Sequence, residues 1–168
     1  MNKKLVDEIN LQIKYEFFSA QLYLAMASYS KANDFDGFES WFLTQVQEEN
    51  FHAMKFYRYM HERGAKVEIP GFEDPKNDYA SLKDAFKFAL DHEGFVTSRI
   101  STLMDVATEV KDYAAIQFLQ WYINEQVEEE DTFRSMLGKI KMVGEVGEGI
   151  YHLDKEAATR VFSPPAAN

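Results

Sequence analysis

The sequence contains no cysteine. That excludes a disulfide scaffold, a thiol nucleophile and every metal site built on thiolate. Proline and glycine are scarce, 4 and 8 of 168 residues, which argues against a sandwich of many short strands with their frequent turns. No apolar run approaches the ~18 residues that a membrane span needs. Basic residues are the minority charge, 18 Lys and Arg against 28 Asp and Glu, for a formal net charge of −10. A nucleic-acid footprint requires the opposite sign, so neither DNA nor RNA is an expected partner. An acidic field attracts cations, and it equally suits a plain solvated surface. At the N-terminus, Met1-Asn2-Lys3-Lys4 is followed by Asp7, Glu8 and Asn10 rather than by an apolar stretch. This is not a secretory signal. The cytoplasm is the expected compartment, with no membrane partner.

What the chain has in quantity is helical periodicity. With 46% hydrophobic and 15% aromatic residues, a chain of this length buries a core without staples and corresponds to one domain, residues 1–168. The spacing predicts a first helix from about Lys3 to Lys31, stopped by Asn33-Asp34-Phe35-Asp36-Gly37. A second runs to Arg63, with Gly64 placed to end it. Ser81-Leu82-Lys83-Asp84 reads as a capping box opening a third helix that reaches about Glu109. Asp112 can cap the fourth, which continues to about Met142. After Gly144, Gly147 and Gly149 a short fifth helix is expected over roughly Ile150 to Phe162, and Ser163-Pro164-Pro165 ends it.

The connection from Gly64 to Ala80 is 17 residues long and contains Pro70, Gly71 and Pro75. Helices of ~27 residues are about 40 Å long, and ~17 extended residues reach up to about 56 Å. The loop can therefore cross the whole bundle and set the second and third helices parallel. The other connections are short and make antiparallel hairpins. The expected fold class is all-α: a ferritin-like four-helix bundle (about 3–142) with one long crossover and a short C-terminal helix (about 150–162).

Each long helix carries a stripe at alternating steps of four and three. The stripes read Ile9, Ile13, Glu16, Ala20, Tyr23, Ala27; then Phe38, Phe42, Gln45, Glu49, His52, Phe56, Tyr59; then Leu82, Phe86, Ala89, Glu93, Val96, Ile100, Leu103; and Ala115, Leu119, Tyr122, Gln126, Glu129, Phe133, Met136, Ile140. All are apolar at both ends and polar near the middle. From Glu16, Glu49 is 33 residues on and His52 is 36; from Glu93, Gln126 is again 33 on and Glu129 again 36. A bundle with pseudo-twofold symmetry brings all of them to one level of its core.

Taken singly, each residue has a duller reading. One Glu on a stripe can be a snorkelling side chain, a lone His52 a satisfied core histidine, and Glu128-Glu129-Glu130 a solvated face. Jointly, they are carboxylates facing one another with no Lys or Arg in the midsections to neutralise them. Buried, they cost several kcal/mol each. A bound metal resolves the conflict, because Glu and His supply oxygen and nitrogen ligands. Di-iron carboxylate bundles take one Glu from each of two helices and Glu-x-x-His from each of the others. Glu16, Glu93 and Glu49-x-x-His52 fit; the fourth helix departs, with Gln126-x-x-Glu129.

These residues, together with Gln47-Glu48-Glu49-Asn50-Phe51-His52, Phe118-Leu119-Gln120-Trp121-Tyr122, Glu125-Gln126-Val127-Glu128-Glu129-Glu130 and Gly147-Glu148-Gly149-Ile150-Tyr151, resemble the non-haem bacterial ferritins from Leu5 to about Phe162. The resemblance implies one iron on Glu16, Glu49 and His52, and a second on the bridging Glu49, Glu93 and Glu129, with Gln126 alongside. It implies a third, outer iron on Glu48, Glu125, Glu128 and Glu129. Tyr23 matches a tyrosine that the family uses in oxygen chemistry, and also reads as a core aromatic with a bonded hydroxyl. Bacterioferritins carry a His where this chain has Glu129 and a haem-ligating Met where it has Asn50, so no haem is expected. Rubrerythrins add a cysteine-ligated iron, which this chain cannot make.

The activity so implied is ferroxidase-linked iron storage. Fe(II) would be oxidised by dioxygen or peroxide at a di-iron centre, and Fe(III) mineral deposited inside a hollow homo-oligomer of 24 subunits. Two other readings stay open: a di-iron oxygenase on the same bundle, and a non-enzymatic helical interaction module.

Overall fold

The breaks read from the sequence work because most helix ends find partners for their free backbone groups. The computed structural model describes residues 1–164; Pro165, the last residue of the expected terminal break, lies outside the described residues. The elements are α1 (Lys3–Ala32), α2 (Asp36–Glu62), α3 (Leu82–Glu109), α4 (Tyr113–Val143) and α5 (Glu148–Ala157). No strand occurs among the described residues.

Asn2 caps α1 by accepting from the Lys4 amide at 2.9 Å. Ser81 caps α3 through the Asp84 amide, and Asp112 caps α4 through the Ala115 amide. The reciprocal half of the expected box is shifted by one residue: Asp84 accepts from the Ala80 amide rather than from Ser81. Helices α1, α2 and α3 all end in a left-handed residue, namely Asp34, Gly64 and Lys111. In each case the next amide reaches back to the last full turn, as Ala65 N does to Met60 O and Asp112 N to Ala107 O. Only Gly64 takes this conformation without a Cβ penalty.

Two separate apolar clusters show how the helices run. One joins the C-terminal end of α1 (Leu22, Met26), the start of α2 (Phe38, Phe42), the start of α3 (Leu82, Phe86) and the end of α4 (Phe133, Ile140). The other joins the start of α1 (Leu5, Ile9), the end of α2 (Phe56, Met60), the end of α3 (Ile100, Leu103) and the start of α4 (Ala115, Leu119). Hence α1/α2 and α3/α4 are antiparallel hairpins, and α2 runs parallel to α3. The crossover follows α1 along its length. Glu68 N donates to Asn10, Phe72 sets its ring edge-on to Phe18, and Tyr79 meets Tyr29.

Helix α5 closes the first cluster with Ile150, Leu153 and Ala157. It ends at Ala157 rather than near Phe162. β-branched Thr159 and Val161 disfavour a further turn, and Arg160 is drawn away to an ion pair with Glu48 on α2. Asp154 makes a contact that spacing could not reveal. The N-cap of α2 is Phe35, which offers no acceptor. Asp154 supplies one from across the chain, its Oδ1 accepting from Gly37 N at 2.9 Å and Phe38 N at 3.0 Å. A Cβ on Gly37 would stand 1.7 Å from Asp154 O, so only glycine lets α5 approach this closely.

Two stability changes are expected. Asp154→Ala removes the cap and lowers stability by about 1–2 kcal/mol, read as a lower thermal midpoint of the metal-free protein. Lys111→Gly relieves the left-handed residue and raises stability by up to about 1 kcal/mol in the same assay.

Candidate metal centre

Between the two apolar clusters lies a polar floor. Glu16, Glu49, His52, Glu93, Gln126 and Glu129 are each at most 4% exposed, and they project from the middles of α1 to α4 as the stripes require. Among the described residues, no Lys or Arg pairs with Glu16, Glu49, Glu93 or Glu129. What holds these carboxylates is neutral. Gln12 Nε2 donates to Glu16 Oε1 at 2.9 Å, and Gln45 Nε2 donates to Glu129 Oε2 at 2.9 Å. Gln126 Nε2 donates to Glu93 Oε2 at 3.1 Å, and the Tyr23 hydroxyl donates to Glu93 Oε1. Tyr122 fixes the α2 backbone by donating to His52 O at 2.8 Å.

Two groups of possible metal ligands result. Glu16, Glu49 and His52 place one ligand atom each within 4.8 Å of one another, and so do His52, Glu125 and Glu129. His52 joins them through its two nitrogens. Nδ1 lies 3.5 Å from Glu49 and 3.9 Å from Glu16, and Nε2 lies 3.7 Å from Glu125. Glu16 Oε2 and Glu49 Oε1 are buried with no hydrogen-bond partner. Oxygen atoms aimed inward beside a ring nitrogen fit a divalent cation of the Fe²⁺ or Zn²⁺ kind.

Glu93 joins neither group; its two oxygens are engaged by Tyr23 and Gln126. Of the four residues expected to hold an outer ion, Glu125 and Glu129 come together with His52. Glu48 is ion-paired with Arg160 at 2.6 Å, and Glu128 is exposed on the rim of the same cavity.

Electrostatics follow from burial without countercharge. Desolvation raises Glu16 and, further, Glu49, against the pull of His52. It pushes Glu93 up to about 7 and, with Glu93 adding to it, Glu129 up to about 8. Burial pulls His52 down, yet the carboxylates of Glu125, Glu49 and Glu16 outweigh it and hold the ring well above its ordinary value. Tyr23 is pushed well up by burial and by Glu93. Burial thus favours the protonated form of Glu93 and Glu129 near neutral pH.

Sequence reasoning gave no site role to four participants. Gln12 and Gln45 hold Glu16 and Glu129, and they are themselves 33 residues apart, so the repeat offset could have found them. Thr97 accepts from Gln126 at 3.3 Å while donating to Glu130 at 2.7 Å, locking the amide's orientation. Arg160 had no local signal.

Similarity to known proteins agrees with this geometry. The Ferritin-like domain family matches residues 6–143. The bacterial non-heme ferritin of Staphylococcus aureus is 38% identical over 162 residues, 96% of this chain and 98% of that one. An open-pore ferritin of the hyperthermophilic archaeon Archaeoglobus fulgidus superposes with a TM-score of 0.94 at 41% identity, covering 95% of this chain and 99% of that one. An engineered closed form of the Archaeoglobus fulgidus ferritin gives 0.95 at 40% identity, covering 97% and 99%. No described helix is long and apolar enough to cross a membrane.

A pH dependence follows. Between the ordinary carboxylate value of 4.5 and the folded values of about 7 for Glu93 and about 8 for Glu129, the folded chain binds more protons than the unfolded one. Stability of the metal-free protein is therefore fully present below about pH 4.5 as far as these groups are concerned, and is lost as pH rises through about 8. Thermal midpoints should fall by a few degrees across that window, and Glu129→Gln should flatten the fall. The buried carboxylate floor, the bundle around it and these relatives lead to one family: the chain belongs to the ferritins, the family of iron-storage proteins.

Proposed function

We propose that this chain is the subunit of an iron-storing ferritin with ferroxidase activity. The observation that carries the reading is the set of buried carboxylates around His52, held by amides and a hydroxyl and, among the described residues, ion-paired with no Lys or Arg. In this reading Fe²⁺ is the substrate. Glu16, Glu49 and His52 take one ion, and Glu49 is shared with a second held by Glu93 and Glu129, with Gln126 beside it. Each Fe²⁺ gives up one electron, and dioxygen takes two electrons and two protons to become hydrogen peroxide, which can serve as oxidant in turn. The Tyr23 hydroxyl on Glu93 steadies that carboxylate and sets an oxidisable phenol against the site. Glu125, Glu128 and Glu48 line the cavity next to His52, where an outer ion would pass.

A fourth-helix pair of Gln126 and Glu129 binds iron more weakly than the Glu and His of permanent di-iron cofactors, and this suits turnover into a store. Storage requires a container. We propose a shell of 24 subunits, about 470 kDa (24 times 19.5 kDa), by analogy with the family. The cytoplasm, where Fe²⁺ persists in the reduced state, is the compartment we assign to it.

The test is oxygen uptake after adding Fe²⁺ to metal-free protein, at two ions per chain and then in large excess. Rapid uptake that continues at excess into a soluble iron core is the expected result. Uptake that stops after one turnover identifies a di-iron oxygenase instead, and uptake no faster than in buffer rejects both. Glu49→Gln should still assemble, as read by light scattering, while initial uptake falls by at least about tenfold, the loss expected at a metal ligand.

A further inference from the structure

Beyond α5 the chain runs without helix from Arg160 to Ser163 along the open side of the metal centre. Val161 and Phe162 close a cavity of about 290 Å³ whose other walls include Glu48, His52, Glu125 and Glu128. The segment is anchored at several points. Thr44 donates to Arg160 O at 3.4 Å, the Phe162 ring rests on Phe51 at 5.8 Å, and the Arg160 guanidinium stacks on Trp41 at 4.3 Å. From there Arg160 Nη2 reaches Glu48 Oε2 at 2.6 Å, with both side chains mostly buried. Its Nη1 is buried too, and has no acceptor.

We propose that Arg160 is a tethered counter-cation of the outer carboxylate group, and that it limits each chain to two tightly held metal ions. The inference rests on the ligand reading above and concerns only how many ions that site keeps. Two carboxylates beside a buried imidazole offer an outer ion a place, since Glu125 and Glu129 group with His52 and its Nε2 lies 3.7 Å from Glu125. One of the expected ligands, Glu48, already carries a fixed positive charge. A divalent ion that uses Glu48 must displace the guanidinium from a partly desolvated pair or bind beside it. In a cavity of lower dielectric than water, two cations a few ångströms apart repel strongly. Among the described residues no Lys or Arg pairs with the inner carboxylates, and the charge of Arg160 acts on Glu129 without an ion pair, so the penalty falls mainly on the outer ion. The arrangement makes the outer position a place of transfer rather than of retention, because Arg160 returns to Glu48 when the ion leaves. Arg160 acts through Glu48 and is a positioning residue.

The experiment is calorimetric titration of assembled, metal-free protein with Zn²⁺, a redox-inert probe, beside equilibrium dialysis to count ions per chain. Wild-type protein should bind two Zn²⁺ tightly and a third at least about tenfold more weakly. Arg160→Gln should tighten the third by at least about tenfold, or about 1.4 kcal/mol, and change the first two by much less. Arg160→Lys, which keeps the charge, should behave as wild type. Adding Glu48→Gln to Arg160→Gln should abolish the gain. An unchanged third affinity in Arg160→Gln overturns the inference, as does Arg160→Lys behaving like Arg160→Gln, which would assign the effect to packing on Trp41. If two ions bind tightly and only the third fails to respond, the Arg160 inference alone is lost. If no Zn²⁺ binds at any position, the ligand reading falls and the inference with it.

Discussion

A layer of carboxylates in the middle of an apolar bundle is the constraint on which the rest of this molecule depends. Each of Glu16, Glu49, Glu93 and Glu129 is buried, and each isolated charge in such a place costs several kcal/mol even after relaxation. The bundle tolerates the layer because it is bounded by two apolar clusters. Tyr23, Phe42, Phe86 and Phe133 pack on one side, and Phe56, Ile100, Leu119 and Tyr122 on the other. The protein gives up stability at its centre, and these flanking clusters hold the four helices in register around it. Such a trade is what a functional site built into a core requires.

The choice of partners within the layer has a chemical logic. Gln12, Gln45, Gln126 and Tyr23 donate to the carboxylates without neutralising them. Lysine or arginine in those places would give stronger pairs and would compete with a metal for the same oxygens. Among the described residues, positive charge meets these carboxylates at the edge, where Arg160 pairs with Glu48. With no fixed cation inside, the carboxylates hold protons instead, and burial lifts Glu93 and Glu129 into the neutral range. A protonated carboxylate carries no charge to desolvate, which makes the floor tolerable in a metal-free core, and under the proposed function those protons would leave as Fe²⁺ binds.

Helix α5 and the segment after it complete the architecture through contacts distant in sequence. Asp154 caps α2 where Phe35 cannot, and the close approach at Gly37 leaves room for no side chain. The same end of the chain then carries Arg160 to the carboxylates. The C-terminal region thus steadies the start of one bundle helix and sets the charge at the mouth of the site.

Much of this was legible in the residues themselves. Every stripe position is buried, from Ile9 through Ile140, because a period of 3.6 fixes one face of a helix before any partner is known. The matched offsets of 33 and 36 placed Glu16, Glu49, His52, Glu93, Gln126 and Glu129 at one level, since two hairpins of equal geometry repeat their spacing. The length of the crossover settled the topology, because a shorter loop could not span the bundle. What only the tertiary structure decided was pairing at atomic range. Glu93 is taken by Tyr23 and Gln126, Glu48 by Arg160, and the α2 amides by Asp154. These contacts join residues up to 117 positions apart, and no periodicity within one helix encodes them. They follow from how far two packed surfaces sit from each other, which is a property of the assembled core rather than of any segment of the chain.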